Sequence, residues 1–429
     1  MRTGYTIRSA SPRAHGWAKR SPFPTRITRR SSPREQRTMS DLLGGRGSTP
    51  GAHNAAEGGA QAKTGGTGLS YGVALNANEF RNLTSNGKRI TPTASAAQVS
   101  TVFVQEINLP SMCQIVYTVD EHWTESDFAQ FKIGSKLGVS DLAMSADAQA
   151  PALPPMYVSG MSFEARAESG GRSTLTVVAF DKLHWLRFGA YTKPFVKQTD
   201  EKIFESLASA AGLTLSAIGL KGGAYPYVLQ DNETNFDFLL RRCRQANYEC
   251  MIAMQQKKEK LVVRPSAQGQ PPGKLALVYK QDIEAITLDM RVPTVGSPVA
   301  SWGYDVSKGE WMMGYYDEDT ERDKMKGQTT GFQAVRPFAP APMTLRRPDL
   351  PDNGTLEYVA AAARSERQAA FVEGTATLRN INMKTSAGVN VEIKGLNIFA
   401  DGWYYIVKST HQRDRHGDHT VLDLRRSGI

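Results

Sequence analysis

The chain is short of cysteine, histidine and long apolar runs, and each shortage removes a class of function. Its three cysteines, Cys113, Cys243 and Cys250, are an odd number without C-x-x-C spacing. They support neither a disulfide framework nor a zinc knuckle, and read as reduced, buried thiols. No run of 18 or more apolar residues is present, so no stable membrane insertion is expected. G-x-S-x-G, H-E-x-x-H, a P-loop and a G-x-G-x-x-G opening a helix are all missing. The nucleophile elbow, the zinc-peptidase helix and the common phosphate cradles go with them. What remains is a chain of 429 residues with an ordinary hydrophobic fraction of 40%, enough for two or three domains.

Acids are scarce at one end only. Residues 1–38 hold nine Arg and one Lys against Glu35, a net of +9, which leaves 42 basic and 41 acidic residues for 39–429, a net of +1. The overall +10 therefore belongs to a leader, and the rest has no field that would gather polyanions. No nucleic-acid specificity is expected. The leader is Arg- and Ser-rich, as in a transit peptide, but shows no leucine-bearing amphipathic helix, which favours a start at Met39. Residues 39–98 are rich in Gly, Ala, Ser, Thr and Asn and read as a flexible arm.

From residue 99 the pattern turns to period two. "STVFVQEINL", "CQIVYTVDEHW", "PMYVSGMSFEARAE" and "STLTVVAFDKLHWL" predict an antiparallel β unit over 99–195. A helical pair follows. Thr199 is placed to cap a helix with apolar positions Ile203, Phe204, Leu207, Ala208 and Ala211, and Gly212 sits at its end. Thr234 and Asp237 are spaced like a capping box, before Phe236, Leu239, Leu240 and Cys243 at i, i+3, i+4 and i+7. Leu239 is expected to be buried, with Arg241 and Arg242 flanking the stripe and tolerant of truncation. With the strands "YECMIAMQQ" and "EKLVVRPS" this makes a small α/β domain at 196–268. Residues 269–429 are again β-rich: two strands around a Gly turn at 298–317, a charged loop at 317–327, a Pro-rich extended stretch, an Ala-rich helix and closing strands.

Candidate chemistry gathers in two places. "DGWYYIVKSTHQRDRHGDHTVLDLRR" holds three of the seven histidines, His411, His416 and His419. Read as a hairpin, it sends Trp403, Tyr405 and Val407 to one face and Tyr404 and Ile406 to the other. His411 and His419 can then face each other across the hairpin. Zinc needs three or four converging ligands, and no third ligand is placed on that side, so solvated turn histidines are preferred. The acids of 317–323 lack calcium-loop spacing and read as a solvated loop. The aromatic strands read as core rather than as a base-stacking platform. No catalytic residue, cofactor or metal site is assigned.

The order β unit, α/β insert, β unit resembles the contractile-tail baseplate hub family: late control protein D, the T-even hub and the N-terminal region of VgrG. The likeness spans about 100–429. It rests on Gly160 and Asp181 in a strand pair, and on Asn232, Glu233, Thr234, Phe238, Leu239 and Arg242 around a helix. Trp302 and Asp305 in a second strand pair, and Gly402, Tyr404, His411 and Thr420 in the closing hairpin, complete it. Two departures stand out: Asn247 where the family often has Gly, and "RDRHGDH" in place of its Gly-Tyr turn.

The resemblance implies a β-rich α+β chain with two barrel-like antiparallel β domains flanking the α/β domain. It implies a homotrimer whose six barrels form a pseudo-hexameric ring between a three-fold spike and the six-fold inner tube. Further partners would be a tube-initiator, wedge and tape-measure proteins. The particle would assemble in the bacterial cytoplasm and act as a virion or extracellular contractile particle. A VgrG-like spike is the alternative within the family. Because the chain ends at Ile429 without a repeated-β needle, a separate spike protein is expected. An alternative of another class is a hydrolase using the 411–419 histidines and the 317–323 acids.

Overall fold

Alternating burial along short strands is the commonest local pattern in the structure, a computed structural model that describes residues 83–139, 154–165, 172–256, 258–294, 296–338 and 340–429. The chain divides into two units, Met1–Ser70 and Tyr71–Ile429, and the described residues belong to the second. The basic leader and residues 39–82 of the expected arm lie outside them.

In chain order the strands begin with β1 Leu83–Ser85, β2 Lys88–Arg89, β3 Gln98–Glu106, β4 Met112–Val119, β5 Lys136–Val139, β6 Met156–Glu164 and β7 Ser173–Phe180. Next come β8 Ala190–Gln198, β9 Thr214–Ala217, β10 Tyr225–Thr234, β11 Tyr248–Gln255, β12 Lys258–Pro265, β13 Ala276–Val278 and β14 Ile283–Met290. The last are β15 Gly296–Asp305, β16 Glu310–Tyr316, β17 Pro342–Arg346, β18 Val372–Leu378, β19 Asn390–Lys394, β20 Gly402–Asp414 and β21 Gly417–Arg426. The helices are α1 Pro92–Ala96, α2 Glu125–Ala129, α3 Asp200–Ala210, α4 Asn235–Gln245, α5 Glu321–Lys324, α6 Gly331–Val335 and α7 Asn353–Ala369.

The β-rich α+β class holds, but the sheets do not close into barrels. The expected first and last β regions are joined in one sheet, in the order β14-β18-β21-β20-β3-β4-β7-β6-β5-β1-β2, with β19 also beside β20 and β13 beside β19. The join is β20. Its first part, Gly402–Tyr405, pairs with β19, and Lys408–Arg413 pairs with β3. A register irregularity at Val407 separates the two, where an extra residue bends a strand toward a new neighbour. The face assignment along this strand is as its alternation requires: Tyr404 and Ile406 enter one core, and Tyr405 meets Trp403 and Val407 in another.

Residues 83–98 are not arm. Leu83, Ile90 and Ala94 are buried with Ile115, Tyr117 and Phe131, and Thr91 caps α1. A few apolar side chains at the right spacing suffice to order a segment whose average composition is poor in them.

The α/β region has two small sheets, β8–β10 and β9–β12–β11, around α3 and α4. Thr199 and Thr234 cap the helices through the N–H groups of Lys202 and Asp237. The core extends past the anticipated 196–268 limits. It also takes Leu183, Leu186 and Phe195, and Leu350, Leu356 and Val359 from around α7. The "DEDTERD" stretch is not wholly loop: Thr320 and Asp323 form a capping box at the start of α5.

Helix α7 lies on the sheet β16–β15–β17 at its glycines. A Cβ on Gly314 would fall 2.0 Å from the Glu357 nitrogen, and one on Gly303 3.1 Å from Leu356 Cδ1. Gly314→Ala is therefore expected to lower stability by about 1–3 kcal/mol or more, while Ala at Gly160, which faces open space, costs less. Thermal unfolding of the two variants checks this.

Candidate functional site

The closing hairpin has the richest cluster of chemically capable residues, and its register decides what the cluster can do. His411 pairs with Thr420 and Gln412 with His419. Since adjacent strand residues point to opposite faces, His411 and His419 do not face each other, contrary to expectation. His411 is fully buried, with Nδ1 2.9 Å from Thr420 Oγ1 and Nε2 3.0 Å from Ser409 Oγ. Its ring stacks on Phe103, centroids 6.3 Å apart. His416 is exposed in the turn, where its N–H donates to Asp414 Oδ1 at 2.7 Å. Among the described residues no group of three His, Cys, Asp or Glu is arranged to hold a metal. The hydrolase reading thus loses its assembled cluster.

Several acids of 317–323 are held by structural bonds rather than gathered at a site. Asp319 pairs with buried Arg364 at 2.6 Å and accepts from Thr330. The Glu318 carbonyl accepts from Arg364 at 2.8 Å. Asp317 accepts from Ser297, and Asp323 caps α5.

The positions that carried the resemblance also do structural work. Gly160 lies at a register shift in β6. Asp181 is buried and accepts N–H bonds from Ser111 and Leu183, both at 2.9 Å. Asn232 sits at φ +48° within a β10 irregularity, a conformation that Asn tolerates better than most residues. Glu233 holds Arg241 at 2.6 Å. Phe238 stacks on Phe195 at 5.3 Å, and Leu239 is wholly buried. Asp305 accepts from Ser307 and Lys308 in the β15–β16 turn. Gly402 has φ +147°, and a Cβ there would meet the Arg426 guanidinium at 2.5 Å. Tyr404 donates to the Ala400 carbonyl at 2.6 Å. Trp302 differs from the rest: it is exposed. Asn247, at the departure from the family's Gly, takes φ +50°, a left-handed conformation that Asn tolerates better than most residues.

Arg242 corrects the expected tolerance. Its guanidinium is buried, with Nη2 and Nε at 2.6 and 2.8 Å from Asp200 Oδ1. It lies 4.2 Å from the Tyr225 ring centre and donates to Gln245 at 2.7 Å. Tyr225 donates to the other Asp200 oxygen at 2.9 Å. Asp200 was legible as a first-turn acid, but nothing local in the sequence marks its partner 42 residues on. A second such centre was missed. Buried Glu249 accepts from Tyr405 at 2.5 Å, with Arg264 at 3.6 Å and Arg425 at 3.8 Å.

The overall arrangement is that of phage tail proteins and a type VI secretion component. The chain is similar to the prophage MuSo2 43 kDa tail protein from Shewanella oneidensis, with TM-score 0.55 and 12% identity, over 80% of this chain and 97% of that one. It is similar to the tail protein from Neisseria meningitidis MC58, with TM-score 0.55 and 13% identity, over 81% and 96%. An E. coli type VI secretion component, described as structurally similar to the T4 bacteriophage tail proteins gp27 and gp5, follows at TM-score 0.50 and 11% identity, over 81% and 77%. At these identities the likeness is one of fold. No curated protein matches the chain. The chain belongs to the Alg8 N-terminal domain family, whose model matches residues 160–414, more than half of the sequence. That family name differs from the late control protein D, T-even hub and VgrG grouping suggested by motifs, so the phage-tail relation rests on fold.

Two outcomes follow for the residues above. Arg242→Ala should cost about 3–5 kcal/mol, because Asp200 is left buried without its counter-ion. Arg241→Ala, at a half-exposed pair, should cost about 1 kcal/mol or less, and Leu239→Ala about 2–5 kcal/mol. Urea unfolding of the three variants measures the order.

The second outcome concerns pH. Burial pushes His411 from 6.5 down to about 3. The unfolded chain then takes up a proton that the folded chain refuses, so this residue's contribution falls as pH drops below 6.5. Asp181 works in the opposite sense. Burial pushes its carboxyl from 3.8 up to about 7, against its two N–H bonds, so its contribution falls as pH rises between those values. The His411 part is read by difference. Between pH 6 and 5 the wild type should lose about 1 kcal/mol more than His411→Gln in urea unfolding.

Proposed function

We propose that this chain is a structural baseplate hub of a contractile phage tail or phage-like injection particle. In this reading it is a homotrimeric adaptor between a three-fold spike and the six-fold inner tube. The observation that carries the reading is the extent of the fold likeness, which takes in 97% of the prophage MuSo2 tail protein. Three chains, each with an early and a late β region, can offer six comparable faces to a tube. Closed symmetry would stop growth at the spike side.

The partners in this reading are a separate spike protein, the inner tube or a tube-initiator, and wedge and tape-measure proteins. The site of action is the tail baseplate, after assembly in the bacterial cytoplasm. The role is scaffolding rather than enzymatic. The buried ion pairs suit that role, since they fix geometry and are sealed from solvent.

A VgrG-like spike component is the second reading, favoured by the E. coli secretion protein at TM-score 0.50. It places the same fold at the same junction of a related machine. Light scattering on the purified full chain, with and without its spike, is expected to give the mass of three copies, more completely with the spike present. A monomer in both samples at all accessible concentrations would overturn the hub reading.

A further inference from the structure

The largest sheet ends at β14, and among the described residues that end is open. Ile283 is bridged to Tyr279, but over 285–290 the strand has β18 as its one neighbour. The Arg291 N–H donates to the Phe371 carbonyl at 2.9 Å. Backbone direction alternates along an antiparallel pair, so Ile286, Leu288 and Met290 turn their N–H and C=O groups to the free side. No backbone bond from another segment reaches these three among the described residues. Sheets blunt such an edge with Lys, Pro, a short strand or a cover. β8 holds Lys193, Pro194 and Lys197, and β10 holds Pro226. Ile283–Met290 holds neither Lys nor Pro.

The core beside this edge is unfinished in the same direction. Ile286 and Met290 stand opposite buried Ala376 and Val372, with Leu288 between them on that face. Yet Ile286 and Leu288 are only partly buried, and Met290 is 51% exposed. On the other face Thr287 stands opposite Thr375 and Asp289 opposite Glu373. A strand that completes the edge needs apolar side chains on the first face. On the second it must bring no further acid, because like charges on adjacent strands repel.

A stretch of the chain before the described residues has that pattern. In "YGVALNA", residues 71–77, Tyr71, Val73, Leu75 and Ala77 alternate with Gly72, Ala74 and Asn76. The period is that of a strand, and residues 71–78 hold no charge and no Pro. Seven residues make about 23 Å of strand, against about 20 Å for the free edge at 285–290.

The position of this stretch selects whose edge it meets. It leads into β1, close to the opposite end of the sheet from β14. Measured along the sheet, β1 is nine strand places from β14, about 43 Å. The six steps from Leu83 back to Ala77 span about 20 Å. The sheet is not closed, so the stretch falls short of its own β14.

We infer that residues 71–77 of one copy add a strand to the β14 edge of a second copy. Main-chain bonds supply the affinity, and the alternating side chains fix the register. Joining one end of a sheet to the other end of the next is a head-to-tail contact, which closes into a ring when its rotation allows. This deepens the trimer reading and rests on it.

The test uses the full chain, with its spike protein wherever wild type needs the spike to trimerise. Val73→Asp with Leu75→Asp puts charge on the apolar face of the added strand. Met290→Pro removes an N–H that faces the free side and none that bonds β18. Thermal unfolding checks that each variant folds, and sedimentation measures assembly. Each change is expected to weaken trimer formation about tenfold or more. The two together should add little to the stronger one, since both break one contact. A benzophenone side chain in place of Tyr71, in a mixture of light and heavy-isotope chains, is expected to crosslink to residues 285–292 of the other isotope. If Met290→Pro does not fold, the arm variant and the crosslink decide. Trimers of wild-type strength in either folded variant would overturn this contact and leave the hub reading standing. Crosslinks confined to one chain, or made to another strand such as β16, would overturn it as well. A wild type that is monomeric with and without spike overturns the hub reading and this contact with it.

Discussion

Strand β20 is the element through which the regions of the chain become one body. It pairs with β19 and β21 of the late region and with β3 of the early one. It also sends Tyr405 to Glu249 in the α/β region. The turn of phase at Val407 lets one strand serve both ends of the sheet. In the proposed hub role, such continuity would let the chain carry load from one partner to the other. Hydrogen bonds across a shared sheet resist separation of its parts better than two closed units joined by a linker.

Around that strand the chain turns several of its charges inward. Arg242 meets Asp200, Arg364 meets Asp319, and Glu249 draws on Tyr405, Arg264 and Arg425. A buried pair adds little over a well-packed apolar substitute, yet it admits few alternative geometries, because either partner alone is left uncompensated. The same bonds tie α3 to α4 and β11 to the main sheet.

Much of the local structure was legible. The α4 helix follows from the cap at Thr234 and the spacing of Phe236, Leu239, Leu240 and Cys243, because both signals lie within a few residues. Pairing across long distances was not. Nothing near "STVFVQEINL" says that it will lie beside "STHQRD" some three hundred residues on, so the two β regions read as separate units, which the resemblance made barrels. Arg242 read as a surface residue for the same reason, its partner being on another helix. His411 and His419 were misjudged by one step of register, which only the tight turn at Arg415 and His416 fixes. The aromatics of β15 and β16 read as core because strand aromatics usually are, whereas here the inward positions are taken by glycines that admit α7.

The central claim is that the chain is a symmetric joint between unlike partners rather than a catalyst. The measurement that addresses it most directly is a cryo-electron microscopy reconstruction of the particle that carries this chain. The account predicts three copies per particle in a ring at the junction of spike and inner tube. Density for the chain at another place in the particle, in another copy number, or not at all, would contradict it.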